Sequence, residues 1–225
     1  MKTPWAGRHL LGVLPSVRGN LRANVPLARY TWFRTGGMAE VLFTPLDLED
    51  LVRFLAECPE GIPFTVIGLG SNILVRDGGI PGVVIRIIRG QGAINVDGRD
   101  LTVGAGATDL KVSRVAAGAG IAGLEFLSGV PGSIGGAIRM NASSYGQEVS
   151  DILVSAAVVD RKGLMRKQSA EEFCFGYRES NLPKDSIVVS AHLRGHTDSS
   201  SRIAKRTMAV HEARTVTQPL SLIHI

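Results

Sequence analysis

Short apolar runs separated by glycine-rich segments extend along the whole chain, and they restrict it to folds that are rich in tight turns. The 225 residues include 27 glycines, which fall between the apolar runs without any fibrous period. Apolar residues make up 44% of the sequence, enough to bury a sizeable core. The chain is therefore expected to form one large domain or two small ones that mix helices and strands.

Charge and cysteine usage narrow the class of partner. The net charge of +5 suits anionic ligands such as phosphates or dinucleotides, although a solvated basic surface explains it equally well. No dense basic block alternates with aromatic residues, so no nucleic acid is expected. The distant cysteines Cys58 and Cys174 indicate reduced thiols. With no apolar run near about 20 residues and no signal-peptide core, we expect a cytoplasmic protein with no membrane partner.

Apolar periodicity predicts two units, preceded by an N-terminal arm and followed by a remnant. The arm is residues 1–29, in which 20–25 is either a short helix or a packed arm. The first unit, residues 30–90, is predicted to contain a helix that begins near Asp47. Its predicted strands are 39–43, 64–69, 72–75 and 83–88.

The second unit, residues 91–195, is predicted to begin with a β-hairpin, because Asp97-Gly98 separates two short apolar runs. The pattern S-x-x-E from Ser169 to Glu172 is a capping box, which predicts a short helix. The remnant, residues 196–225, carries a basic helix over 203–214. The other predicted elements are a helix at 109–119, a glycine-rich loop at 123–146 and strands at 151–160, 164–168 and 186–193.

The segment from Val66 to Val75 carries the first candidate site, because two glycines followed by Ser and Asn interrupt an apolar stretch. Glycine lets successive main-chain N–H groups converge on an anion, and the Ser and Asn side chains add donors. A pyrophosphate would fit such a nest, and a tight turn between two strands is the alternative. The predicted binding residues are Gly68, Gly70, Ser71 and Asn72.

A longer stretch of small residues, 127–146, carries the second candidate site. Small side chains bury little apolar area, so core packing alone does not require them. Long loops inside compact domains tend to be functional, and here too the main-chain amides are expected to bind the anion. The predicted binding residues are Gly129, Pro131, Gly132, Ser133, Gly135 and Gly136.

Two shorter motifs complete the set. Residues 104–109 lack the final Gly or Ala of a dinucleotide fingerprint, so we interpret them as a strand-to-helix turn that leaves a cofactor contact open. Tyr177-Arg178 follows a short helix and offers a guanidinium that can grip a carboxylate. The alternative is a surface arginine paired with Glu179. The five histidines show no metal-ligand spacing, so no metal is expected.

Taken in order, these segments resemble the UDP-N-acetylenolpyruvoylglucosamine reductase family, also called UDP-N-acetylmuramate dehydrogenases. The resemblance covers about residues 30–218. It rests on the joint order of Arg34-Thr35-Gly36-Gly37, Gly68-x-Gly70-Ser71-Asn72-x-Leu74, Gly129-x-Pro131-Gly132-x-x-Gly135-Gly136-Ala137, Asn141-Ala142, Tyr145-Gly146 and Gly176-Tyr177-Arg178.

The resemblance implies an α+β, FAD-binding fold of the vanillyl-alcohol-oxidase (PCMH) type, in which two α/β subdomains enclose FAD and a third domain helps to bind the substrate. It implies non-covalent FAD, NADPH as reductant, and conversion of a UDP-sugar enolpyruvyl ether to UDP-N-acetylmuramate for peptidoglycan. By the same resemblance, Arg178 is catalytic and holds the substrate carboxylate, Tyr177 helps to position that group, and both glycine loops bind the cofactor.

Two departures from the family pattern carry their own expectations. Ser143 stands where the family usually has Gly, and it would cost of order 1 kcal/mol if that position needs a positive φ. Residues 220–225 match nothing where the family continues into its third domain. We therefore expect a C-terminally truncated chain whose substrate domain is missing and which lacks full activity. An FAD-binding fragment without turnover, or another flavin oxidoreductase of the same fold, are the alternatives.

Overall fold

The computed structural model of the chain describes residues 6–88 and 91–217, so the first five residues of the predicted arm and the predicted mismatch at 220–225 lie outside it. The helices are α1 (Ala6–Leu11), α2 (Leu48–Glu57), α3 (Asp109–Gly118), α4 (Ile134–Arg139) and α5 (Ser200–Thr217). The strands are β1 (Asn20–Pro26), β2 (Met38–Thr44), β3 (Phe64–Ile67), β4 (Ile80–Arg86), β5 (Ile94–Asp97), β6 (Asp100–Gly104), β7 (Ile121–Ala122), β8 (Ser143–Ser144), β9 (Gln147–Glu148), β10 (Leu153–Val159), β11 (Met165–Ser169), β12 (Ile187–Arg194) and β13 (His196–Thr197). None of the described helices has both the length and the apolar character that a membrane span requires.

A four-stranded sheet in the order β1-β2-β4-β3 forms the first half of the fold. Strand β1 runs antiparallel to β2, whereas β2 and β3 both run parallel to β4. The short helix considered for 20–25 is therefore wrong, because these residues form β1 and pair with β2. The strand predicted at 72–75 is also wrong, because the chain leaves the sheet after Ile67, where β3 ends, and Leu74 is exposed.

A five-stranded antiparallel sheet in the order β11-β10-β12-β6-β5 forms the second half. The hairpin predicted at Asp97-Gly98 is confirmed as β5–β6, and Gly98 takes a φ of 58° at its turn. Helix α3 begins where predicted, with the Thr108 hydroxyl accepting a hydrogen bond from the Lys111 N–H. The predicted capping box forms in part: the Glu172 carboxylate accepts from the Ser169 N–H, but only one 3-10 turn follows.

The glycine-rich segment 123–146 is not the open loop that the sequence predicts. It contains a 3-10 turn (Glu125–Gly129), helix α4 and strand β8, which pairs with β9 just beyond the segment. Phe126 and Leu127 of the turn and Ile134 of the helix are buried, so the segment contributes to the core as well as to a surface. Apolar residues spaced between the glycines provide this burial, which the glycine count alone conceals.

One hydrophobic core joins the two halves. The rings of Phe43 and Phe54 of the first half pack at a centroid distance of 4.3 Å, tilted by 34°. They belong to the same buried cluster as Leu101 of β6 and Ile134 of α4. The two halves are therefore packed together, and the two candidate glycine loops line a cavity between them.

Candidate functional site

The first glycine loop follows directly from the C-terminal end of β3. None of the main-chain N–H groups of residues 68–72 donates to a carbonyl within residues 6–88 and 91–217. The loop is held instead through its carbonyl at Gly70, which accepts from the Trp32 N–H at 3.0 Å. Gly70 has a φ of 71°, and a Cβ there would collide with the Tyr30 carbonyl oxygen. Only glycine suits this position, and the free amides remain available to an anion.

In the second glycine loop, unlike the first, several main-chain amides already donate hydrogen bonds within the protein. The N–H groups of Val130, Gly132 and Gly135 already donate to main-chain carbonyls, at distances of 3.0–3.1 Å. The Ile134 N–H donates likewise to the Ala107 carbonyl. The expectation that main-chain amides of this loop bind the anion therefore does not hold at these four positions, where the backbone bonds to itself and to the β6–α3 turn. The Ser133 hydroxyl lies toward the first loop, next to Gly68.

The two loops meet across one cavity of about 330 Å³, here called the central cavity. A Cβ added to Gly68 would meet the Ser133 hydroxyl oxygen, so the two backbones approach closely at this point. The predicted residues that line the central cavity are Gly68, Gly70, Ser71, Asn72, Pro131, Gly132, Ser133, Gly136 and Arg178. The structure thus brings together segments that lie more than 100 residues apart in sequence.

Two further cavities extend the central cavity at either side. One of about 390 Å³ shares Gly68 and Ser133 with it and also contacts Gly135. The other, of about 770 Å³, shares Arg178 and is lined in addition by Gly129 and Tyr177. Because neighbouring cavities share lining residues, the three form one elongated cleft. Such a shape suits a long ligand whose polar middle lies between the loops.

Arg178 occupies a tight turn closed by hydrogen bonds in both directions between Gly176 and Glu179, at 3.1 and 3.4 Å. Its φ of 58° is unusual for a residue with a side chain and fits the third position of a type II turn. Arg178 makes no ion pair or hydrogen bond with any described residue, so the alternative pairing with Glu179 is wrong. Its exposed guanidinium is free for a ligand, as is the neighbouring Tyr177, 86% exposed.

Comparisons with known proteins agree with this geometry. A family model for the FAD binding domain matches residues 39–169, more than half of the chain. UDP-N-acetylenolpyruvoylglucosamine reductase from Azorhizobium caulinodans is 50% identical over 211 residues, covering 94% of this chain and 68% of the relative. The same enzyme from Paramagnetospirillum magneticum is 48% identical over 210 residues, covering 93% and 68%.

The chain belongs to the UDP-N-acetylenolpyruvoylglucosamine reductase family. A solved structure from this family, from Thermus caldophilus, superimposes with a TM-score of 0.78 at 34% identity, over 92% of this chain and 72% of that one. 6-Hydroxy-D-nicotine oxidase from Arthrobacter nicotinovorans shares the fold alone, with a TM-score of 0.59 at 19% identity over 81% and 43% of the two chains. The predicted family and FAD-binding fold are thereby confirmed, and the chain spans about two thirds of its relatives' length.

The departure from the family pattern at Ser143 carries no backbone strain. Ser143 lies in β8 and is absent from the residues with positive φ, so the expected cost does not arise. The left-handed position is Asn141, with a φ of 39°, and its buried amide bridges two segments. Its Nδ2 donates to the Gly176 carbonyl at 3.2 Å, and its Oδ1 accepts from the Ser150 N–H at 3.0 Å. Asn141 thus fixes the base of the turn that carries Arg178.

The residues of the cleft fit a bound FAD. Free amides in the first loop suit a diphosphate, and the absence of a side chain at Gly68 lets the Ser133 hydroxyl approach the same loop. The elongated cleft has room on both sides of the loops for the two ends of a dinucleotide. FAD is the cofactor that the matched family model describes.

Sequence reasoning left two charged residues of the central cavity out of the predicted site, Asp109 and Arg139. The Arg139 guanidinium donates to the Pro183 carbonyl at 2.7 Å, which holds it at the cavity wall. Asp109 was visible only as part of a strand-to-helix turn. Its position against the second loop depends on pairing between Thr108 and Ser133, which no local motif reveals.

Proposed function

We propose that this chain is an NADPH-dependent flavoprotein reductase that converts UDP-N-acetyl-3-O-(1-carboxyvinyl)-glucosamine to UDP-N-acetylmuramate, a step in the synthesis of peptidoglycan precursor. One observation carries the proposal: in a chain 50% identical to a UDP-N-acetylenolpyruvoylglucosamine reductase, both glycine loops and Arg178 line one cleft. When bound, FAD supplies the hydride-transfer chemistry, with NADPH as the source of the hydride.

The proposed roles of the protein's own residues follow from charge and access. Gly68, Gly70, Ser71 and Asn72 hold the diphosphate of FAD through main-chain amides and short side chains. Arg178 binds the carboxylate of the UDP-sugar enolpyruvyl ether in bidentate fashion and stabilises the negative charge that develops on it during reduction. Support for this role is the free, exposed guanidinium beside the central cavity. The exposed Tyr177 is proposed to orient the same carboxylate.

The second loop contributes through the remaining residues of the predicted set. Pro131, Gly132, Ser133 and Gly136 are proposed to approach FAD at the central cavity, and Gly129 and Gly135 act at its edges. Support for this division comes from the separate cavities that Gly129 and Gly135 line. Pro131 stiffens the loop between them.

We propose in addition that FAD lies between two subdomains, residues 30–90 and 91–195. Strand β1, from the predicted arm, completes the sheet of the first. NADPH and UDP-linked sugars are cytoplasmic metabolites, so the proposed location is the cytoplasm, with small molecules as the proposed partners.

Purification and rapid mixing test this proposal in two stages. The chain should carry FAD that denaturation releases intact, and a chain that stays colourless with added FAD would exclude any flavoprotein function. Mixing with NADPH should bleach the flavin, and the UDP-sugar should then restore its colour. Binding without bleaching would identify an FAD-binding module instead. Arg178→Ala should retain FAD but lower turnover by about 10²–10³.

A further inference from the structure

Asp109 is an unusual residue for the interior of a protein. Its side chain is completely buried, and neither carboxylate oxygen has a hydrogen-bond partner among the described residues. Buried acids are normally paired or hydrogen-bonded, because burial removes them from water without compensation. The apoprotein therefore keeps a polar group in a state that a ligand could satisfy.

The carboxyl of Asp109 lies next to the point where the two glycine loops meet. Asp109 lines the central cavity together with Gly132 and Ser71. A Cβ built on Gly132 would lie 2.8 Å from Asp109 Oδ2 and 3.9 Å from Ser71 Oγ, so these groups converge on one small region. The Asp109 main chain is fixed there, because its N–H donates to the Gly132 carbonyl at 3.1 Å. The other charged residues on the central cavity are Arg139 and Arg178.

A side-chain donor would add to the few amides that the second loop leaves for a ligand. Four of its amides, at Val130, Gly132, Ile134 and Gly135, already donate to carbonyls. Burial raises the pKa of the Asp109 carboxyl well above its ordinary value, which favours the neutral form. A neutral carboxyl carries one O–H donor, whereas an ionised one would repel a diphosphate.

We propose that the neutral side chain of Asp109 donates a hydrogen bond to the diphosphate of bound FAD, so that it acts as a cofactor-binding residue of the second loop. This inference rests on the proposed FAD site and adds to it a residue that the glycine motifs do not contain. By this proposal the same carboxyl has two effects. Without FAD it is unpaired and destabilises the protein, and with FAD bound it strengthens cofactor binding.

Four forms of the full chain test this inference: the parent, Asp109→Leu, Asp109→Asn and Ser113→Ala. Leu has a shape similar to Asp without a donor, and Asn has a similar shape with one. Ser113 is the matched control, because its buried hydroxyl also lacks a partner among described residues, lies one turn further along α3 and does not line the central cavity. Equilibrium dissociation constants for FAD and for ADP, and the unfolding temperature of each apoprotein, are measured.

Asp109→Leu should weaken both FAD and ADP by about 10- to 100-fold, the usual effect of losing a hydrogen bond to a charged group. Its apoprotein should unfold at the same temperature as the parent or higher, because an unpaired polar group has been removed. Asp109→Asn should bind FAD within a few-fold of the parent, and Ser113→Ala should bind it unchanged.

Distinct results would overturn the inference. If Asp109→Leu binds FAD as tightly as the parent, or loses affinity for FAD but not for ADP, Asp109 does not contact the diphosphate. If Asp109→Asn loses as much affinity for FAD as Asp109→Leu, the Asp109 side chain does not act as a hydrogen-bond donor. A loss of affinity accompanied by a less stable apoprotein would assign Asp109 a structural role alone. A parent chain that binds no FAD would instead reject the proposed function, and this inference with it.

Discussion

Left-handed backbone conformations mark the motifs that identify this family. Residues with side chains rarely adopt a positive φ, and where they do the strain often lies near a functional site. Among the described non-glycine residues with a positive φ, four belong to the family motifs: Arg34, Asn141, Tyr145 and Arg178. The motifs thus record backbone shape as well as side-chain chemistry, which explains why short polar and glycine-rich segments identify the chain so well.

The strain at Arg178 predicts a conflict between stability and function. Arg178 has a φ of 58° and no partner among described residues, so replacing it loses no contact there. The free energy of unfolding of Arg178→Gly should exceed that of Arg178→Ala by about 1 kcal/mol, because only glycine relieves the strain. Urea denaturation measures the difference. At the neighbouring Glu179, whose φ is not positive, Glu179→Ala should be more stable than Glu179→Gly. If Gly were more stable than Ala at both positions, or Ala more stable than Gly at both, strain at Arg178 would not explain the result.

At the scale of elements, local signals were enough where caps and tight turns determine the structure. Asp47 begins α2 by accepting a hydrogen bond from the Asp50 N–H at 2.9 Å, as its sequence position predicts. The hairpin at Asp97-Gly98 is likewise set by its turn. Each of these interactions spans only a few residues, so the sequence contains all the information needed.

Elements that depend on distant partners were beyond local reasoning. Strand β1 is ambiguous alone and becomes a strand by pairing with β2. Residues 72–75 are apolar enough for a strand but find no partner beside edge strand β3. The site shows the same division: glycine spacing predicts both loops, whereas Asp109 acquires its environment only when Thr108 pairs with Ser133.

The close approach of the two loops predicts that a single methyl group at Gly68 disrupts the site. A Cβ there would meet the Ser133 hydroxyl oxygen, so this hydroxyl or the loop must shift at the wall of the central cavity. Gly68→Ala should weaken FAD binding at least about tenfold with little loss of stability, measured by fluorescence titration and urea denaturation. Gly78→Ala is the control, since a Cβ there meets nothing within 4 Å. Equal affinity in both variants would mean that FAD does not lie against Gly68.

Helix α5 is attached by an ionic cluster that should respond to acid. Asp198 binds Arg206 at 2.8 Å and also Arg202, and Arg206 reaches the buried Glu125 at 2.8 Å. These arginines, Arg206 first, and the Ser199 N–H lower the pKa of Asp198 from 3.8 to about 2. Because the folded state has the lower pKa, the stabilisation is complete above about pH 4 and is lost as pH falls toward 2.

Asp198→Asn should therefore unfold more readily than the parent at neutral pH, and the two should converge as pH falls toward 2. Thermal unfolding at a series of pH values measures this convergence. Glu57→Gln serves as the control, because the Arg53–Glu57 pair is exposed and such pairs contribute at most about 1 kcal/mol. A gap between Asp198→Asn and the parent that stays constant across the acid range would show that Asp198 acts through something other than its charge.

For the whole molecule, the position of the cleft follows from the shared core. Both sheets contribute to one buried cluster, with Phe43 and Val83 from the first and Leu101 and Val158 from the second. A ligand between the loops therefore contacts two halves that are already packed together, rather than closing two free bodies around itself. Pre-organisation of this kind reduces the entropic cost of binding.

The shared core predicts that FAD stabilises the entire described fold in one step. With FAD at 100 times its dissociation constant, the free energy of unfolding should rise by about 2.7 kcal/mol, and a single thermal transition should move upward as a whole. Circular dichroism follows the backbone while flavin fluorescence follows release of FAD, and the two should coincide. Riboflavin, which lacks the diphosphate, should shift the transition far less, and Gly68→Ala should reduce the shift by FAD. Two separate transitions, only one of them moved by FAD, would show that the halves unfold independently despite the core that joins Phe43 to Leu101.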